Sequence, residues 1–212
     1  SPLYNFFFTR DASSTIYDKV LIHSMQFDVR VRESIIMDYI FEYYFKAETL
    51  STSNYSPKAN TEGGDILIAN ENTLLLGHGM RSNKKGIDYL VEHYSKIKPK
   101  FNILIQNLPH SPESFIHLDM VFTFLDKDKC MVYEPLIVNN NDGFEVTHIE
   151  IDNGKVAYHE KPNFMKGLKD LGFSLEPISC GGDNKLYQDR EQWHSGANFF
   201  CMGEGKIIGY SR

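Results

Sequence analysis

The chain is poor in features that would commit it to a membrane, an export route or a charged polymer. Only three cysteines occur, Cys130, Cys180 and Cys201. An odd, widely spaced set gives no disulfide framework and fits a reducing, cytoplasmic setting. There is no apolar run of membrane-spanning length: the most apolar stretch, "SIIMDYIFEYYF", is broken by Asp38 and Glu42. No signal peptide is visible. Positive charge is not in excess. The net charge is −6 and the pI about 5.7, which argues against nucleic acid or an anionic membrane as the main partner. Metal-binding spacings are missing too: there is no His-Glu-x-x-His, no Cys-x-x-Cys, no calcium loop and no zinc deaminase pattern.

What is present is an ordinary globular composition, 42% hydrophobic and 24% charged, in 212 residues. The chain opens on "SPLYNFFF", a hydrophobic strand-like run without Met, and closes on "KIIGYSR". Both ends read as interior cuts, so the expectation is one partial domain over residues 1–212.

Hairpin signals recur along it. "DILIANENTLLLGHG" is two apolar strands around an Asn-Glu-Asn turn, and "DMVFTFLDKDKCMVYEPLIV" repeats the design around a Lys/Asp turn. "NFFCMGEGKIIGYS" repeats it around Gly-Glu-Gly, and "FFFTRDASSTIYDKVLIHSM" is a weaker version at the start. Helical patterns follow the hairpins. "RVRESIIMDYIFEYYF" follows the first. "NKKGIDYLVEHYSKI", with Ser82 as the expected cap and Ile87, Leu90, Val91 and Tyr94 on one face, follows the second. "NFMKGLKDLG", stopped at Gly172, follows the third. "NILIQNLP" and "FSLEPISC" read as strands after the last two helices. The unit is strand, strand, helix, strand.

A polar residue precedes each hairpin. Asp11, Asp65 and Asp119 stand 54 residues apart (65 − 11 and 119 − 65), with Asn198 ahead of the last hairpin. Equal spacing suggests an internal repeat. If the units pack around a common axis, these mouths meet at its centre, bringing together Asp11, Glu62, Asp65, His117 and Asp119. Taken singly, each Asp is a turn or cap residue, Gly63-Gly64 a tight turn, His117 a hydrogen-bonded structural histidine, and Arg30 and Arg81 surface ion pairs. Taken as a set, they suit a planar organic cation: guanidinium offers five N–H donors in a plane, and carboxylates accept them in pairs.

"NFFFTRD", "VRVRES", "EGGDILI", "GHGMRS", "FIHLDMVFTFLDKDK" and "REQWHSGANFFCM…GKIIGYSR" together resemble arginine deiminase, of the guanidine-modifying (amidinotransferase) superfamily, in order over nearly the whole chain. The resemblance implies a pseudo-fivefold α/β propeller of ββαβ modules, incomplete in this chain. It implies hydrolysis of L-arginine to L-citrulline and ammonia without a cofactor or metal. In that chemistry a cysteine thiolate attacks the guanidinium carbon, and a histidine protonates ammonia and later activates water. The histidine matches His117. Asp11 and Asp119 match the carboxylates that grip the guanidinium, and Glu62 the acid beside the histidine. Arg30 and Arg81 match the arginines that hold the α-carboxylate, and Asn5 and Phe8 further pocket residues. There are departures: Ala12 follows Asp11 where Pro or Thr is usual, and "HSG" at 194–196 replaces an acidic residue before Gly. The family's nucleophile lies beyond Arg212, and all three cysteines read as structural, so this stretch alone is expected to be inactive. Another guanidine substrate, amidino transfer, and a non-catalytic arginine-binding paralogue stay open as alternatives, as does assembly into a homo-oligomer.

Overall fold

The computed structural model describes residues 2–209; Ser1 and the "YSR" of the last motif lie outside the described residues. The expected unit recurs three times. The opening apolar run is not a strand: it turns and enters a single helical turn, α1 (Thr9–Ala12), with Phe7 and Phe8 exposed. No strand pairing among the described residues begins before Ser13, and an unpaired strand has no ladder hydrogen bonds to hold it. The first hairpin follows, β1 (Ser13–Ile16) and β2 (Lys19–Ile22), antiparallel. Next come α2 (Val31–Tyr39), continued by a π-helical turn to Tyr44, and β3 (Thr49–Ser51), which pairs parallel with β2.

The second unit repeats this order with β4 (Ile66–Asn70), β5 (Thr73–His78), α3 (Lys84–Ile97) and β6 (Lys100–Asn107). Here β4 and β5 are antiparallel and β5 and β6 parallel. Ile87, Leu90, Val91 and Tyr94 are buried as the helical spacing predicts. The cap is Asn83 rather than Ser82: Asn83 Oδ1 accepts from Gly86 N–H, and the Ser82 hydroxyl accepts from Glu62 N–H. The third unit runs from β7 (Phe122–Asp126) and β8 (Lys129–Val132) through a short helix, α4 (Glu134–Ile137).

A further hairpin is inserted there, β9 (Val146–Asp152) and β10 (Lys155–Lys161). It adds to the second unit's sheet, β9 pairing antiparallel with β6, and makes that sheet five-stranded in the order β10-β9-β6-β5-β4. The insertion leaves no strand signal along the chain, because β10 is exposed almost throughout and lacks the alternation of a half-buried strand. The unit then closes with α5 (Phe164–Asp170) and β11 (Glu176–Ser179), β11 lying parallel to β8. Gly172 ends α5 at φ +91°, as expected. A further helix, α6 (Lys185–Trp193), precedes the last hairpin, β12 (Phe200–Gly203) and β13 (Lys206–Ile208).

The inner strands β5 and β6 of the five-stranded sheet are buried on both faces, and the parity of their side chains divides the core. Leu74, Leu76, Phe101, Ile103 and Ile105 pack with the buried face of α3. Leu75 and Leu104 point the other way, into the cluster of Phe122, Cys130, Phe164 and Leu168. The first strands of all four principal hairpins, β1, β4, β7 and β12, line one cavity of about 740 Å³. No helix among the described residues is long and apolar enough to cross a membrane.

Candidate active site

Three backbone turns ahead of the hairpins are packed against one another: α1, the 3₁₀ turn Gly63–Asp65 and the 3₁₀ turn Leu118–Met120. The two glycines are what allow the approach. A Cβ on Gly63 would lie 1.8 Å from the Arg10 carbonyl oxygen, and one on Gly64 would lie 2.6 Å from the His117 ring. The Asp65 side chain bridges two of the turns, Oδ1 accepting from Leu118 N–H at 2.9 Å. That bond fixes the backbone between His117 and Asp119.

The packing concentrates ionised groups in a nearly dry space. His117 Nε2 is 3.0 Å from Glu62 Oε2, and His117 Nδ1 is 3.9 Å from Asp11 Oδ1. Arg81 Nη1 donates to Glu62 Oε2 at 3.0 Å and Oε1 at 3.3 Å, with its guanidinium 4.8 Å from the Phe27 ring centre. Arg30 is buried and donates in every direction. Its Nε and Nη2 reach Glu33 Oε2 at 3.0 and 2.9 Å, its Nη1 reaches Asp11 Oδ2 at 2.9 Å and Glu62 Oε2 at 3.5 Å, and its Nη2 also meets the Asn5 carbonyl at 3.5 Å. Asp119 Oδ2 is 3.3 Å from Arg10 Nη1, while its Oδ1 is buried with no hydrogen-bond partner among the described residues. Phe8 is exposed, its ring centre 4.2 Å from that of Phe7.

Burial and charge pull against each other here. Burial would lower His117, but the Glu62 hydrogen bond and the nearby Asp65, Asp119 and Asp11 carboxylates lift it to about 9. Burial would raise Glu62, yet His117, Arg81 and Arg30 hold it below its ordinary value. Asp65 is pushed up by burial to about 7, against His117, the Ser82 hydroxyl and Leu118 N–H. Asp119 is also raised by burial, with Arg10 and His117 opposing. His23, held between the Ser14 and Thr61 hydroxyls at 2.8 Å each, is driven by burial down to about 3 and is neutral.

The structure therefore brings Asp11, Glu62, Asp65, His117, Asp119, Arg30 and Arg81 to one place, with Asn5 joining through its backbone. Asn198 also lies close by, its amide 3.6 Å from Met120 Sδ. Two members were not singled out from the sequence. Glu33 stands three residues after Arg30 in "VRVRES", the spacing that sets two side chains on one helical face, and that was the available signal. Arg10 precedes Asp11 directly and pairs with Asp119 across the repeat, a contact with no local signature. Ligand atoms of Asp11, Glu62 and His117 lie within 4.8 Å of one another and could in principle surround a metal ion. Arg30 Nη1 already bridges both carboxylates, so the cation they hold is a guanidinium.

The family model described as Arginine deiminase matches residues 1–212. Among curated proteins, the arginine deiminases of Bacillus cereus (strain ATCC 10987 / NRS 248) and Borreliella afzelii are 32% and 30% identical to the chain. These matches cover 100% of this chain and 53% and 52% of the relatives. The chain thus spans about half the length of the curated relatives it matches. Among solved structures, the N-terminal domain of ArgZ, a cyanobacterial arginine dihydrolase crystallised as a cysteine-to-serine mutant bound to substrate, superposes with a TM-score of 0.64 at 17% identity. That match covers 100% of this chain and 65% of that one. A cysteine-to-serine mutant of DDAH from Pseudomonas aeruginosa, complexed with citrulline, gives 0.53 at 12% identity over 90% of this chain and 73% of that one. At these identities the likeness is one of fold.

Proposed function

The chain belongs to the arginine deiminase family, and from that premise we propose that the intact protein hydrolyses L-arginine to L-citrulline and ammonia. Its units would close as a pseudo-fivefold propeller, in the cytoplasm, around the charge cluster. The observation that carries the reading is the buried His117–Glu62 pair beside Asp11 and Asp119. A carboxylate cluster neutralises a guanidinium, and a histidine held up at about 9 is an imidazolium at neutral pH, as a general acid must be.

In the proposed reaction, a cysteine thiolate forms a C–S bond at the guanidinium carbon. Collapse of that adduct breaks one C–N bond, and His117 gives its proton to the departing ammonia. The neutral ring then takes a proton from water as it attacks the thiouronium carbon. The thiolate leaves, and citrulline is released. Asp11 and Asp119 orient the guanidinium nitrogens, Glu62 holds His117, Arg81 and Arg30 face the α-carboxylate, and Asn5 and Phe8 flank the ligand.

The thiolate is supplied from outside residues 1–212. Cys130 is wholly buried in β8, and burial pushes its thiol up to about 12. Cys180 is buried after β11, and Cys201 lies on β12 with its thiol 3.4 Å from the Gly203 carbonyl. Citrulline production by the intact protein, lost in Asp11→Ala and in Asp119→Ala, is the expected result. Each change removes one partner of a buried charge pair, worth about 3–5 kcal/mol. Near-normal turnover in either variant would refute the assignment. Preferential conversion of a methylated arginine would move the substrate within the superfamily.

A further inference from the structure

Arg30 presents a difficulty for any guanidinium ligand. A guanidinium has five N–H donors, and those of Arg30 make five contacts: two with Glu33, and one each with Asp11, Glu62 and the Asn5 carbonyl. The residue is buried, so no water competes for these bonds. In this state Arg30 offers nothing to a substrate carboxylate, and Asp11 cannot present both oxygens to a substrate guanidinium. A second guanidinium entering beside the first would also meet a like charge in a space of low dielectric.

We propose that Arg30 is a partner-exchanging specificity residue: it fills the carboxylate clamp as an internal guanidinium, and the α-carboxylate of the ligand is what releases it. The proposal rests on reading this site as an arginine site. The exchange conserves ion pairs. The ligand's guanidinium replaces Arg30 Nη1 on Asp11, and the ligand's carboxylate replaces Asp11 on Nη1. Glu33, itself buried, keeps the Nε–Nη2 edge throughout, so Arg30 changes one partner without leaving its anchor. A guanidine without a carboxylate breaks the Arg30–Asp11 pair and returns nothing, leaving the buried Nη1 only its 3.5 Å contact with Glu62. Discrimination against such ligands then comes from this unreturned pair as well as from the missing carboxylate contact.

The two sources of discrimination separate in a variant. Arg30→Gln combined with Glu33→Gln removes both members of the anchoring pair, so that no lone charge is left between them. Calorimetry with butylguanidine, an arginine side chain without carboxylate or amine, is the direct probe on the intact protein. The variant is expected to bind butylguanidine at least about tenfold more tightly than the native protein, because the internal competitor is gone. Unchanged or weaker binding by the folded variant would overturn the proposal. The native protein supplies a second test that needs no substitution. Acetate, offering the missing carboxylate, should raise butylguanidine affinity relative to chloride at matched ionic strength, since the two ligands release one another's partner. No effect of acetate would overturn the exchange, whatever the variant's fate. Absence of any heat from L-arginine with the native protein would instead bring down the arginine reading, and this proposal with it.

Discussion

His117 should titrate as a strong base, and the Glu62 bond should account for much of that. Its ordinary value of 6.5 is raised to about 9 in the folded protein. The rise corresponds to roughly 3 kcal/mol of folded-state preference for the imidazolium. The sign follows from the direction. A folded value above the unfolded one stabilises the protein fully below pH 6.5, and the contribution is lost as pH rises through about 9. Glu62→Gln removes the charged acceptor at 3.0 Å but also leaves Arg81 and Arg30 each short of a partner. A double-mutant cycle with His117→Gln cancels those side effects. A hydrogen bond between charged groups contributes about 1.5–3 kcal/mol, so the expected coupling is about 2 kcal/mol at pH 6 and smaller at pH 10, where the neutral ring keeps only an N–H bond to the carboxylate. Urea is the denaturant to use, because guanidinium would enter the carboxylate cluster. Imidazole NMR of the native protein, with His117 assigned by its absence in His117→Gln, gives the titration directly. A coupling of equal size at pH 6 and pH 10, or a native His117 titrating at or below 6.5, would refute the reasoning.

Two further outcomes test the packing of the turns. Gly64→Ala places a methyl 2.6 Å from the His117 ring, so it should cost about 1–3 kcal/mol of stability through overpacking, read from urea midpoints, and should reduce turnover more than substrate binding. Asp65 has its folded value raised to about 7 from 3.8. Its contribution is present below pH 3.8 and lost as pH rises through about 7. Asp65→Asn keeps a carbonyl acceptor for Leu118 N–H and should therefore gain on the native protein between pH 5 and pH 8; urea midpoints that fail to diverge over that range would contradict the assignment.

Much of the architecture was legible along the chain, because it is written in local terms. Apolar alternation broken by Asn-Glu-Asn, by Lys/Asp and by Gly-Glu-Gly determines three hairpins, and a 3.6-residue apolar spacing determines α3. The 54-residue interval between Asp11, Asp65 and Asp119 sets the hairpin mouths in register. The β9–β10 hairpin was illegible, since β10 draws its place from pairing with β9 and buries almost nothing of its own. Ser82 and Asn83 are both competent caps, and only the position of Glu62 N–H decides that Ser82 serves the site while Asn83 serves the helix. The same holds for the charges. Residue type alone made Arg30 a partner for a carboxylate. Which carboxylate it meets depends on three turns, far apart in sequence, closing to within hydrogen-bond range across two glycines. Ion pairing at that range is set by distances of a few ångströms between segments about 50 residues apart, and the tertiary structure alone supplies those distances.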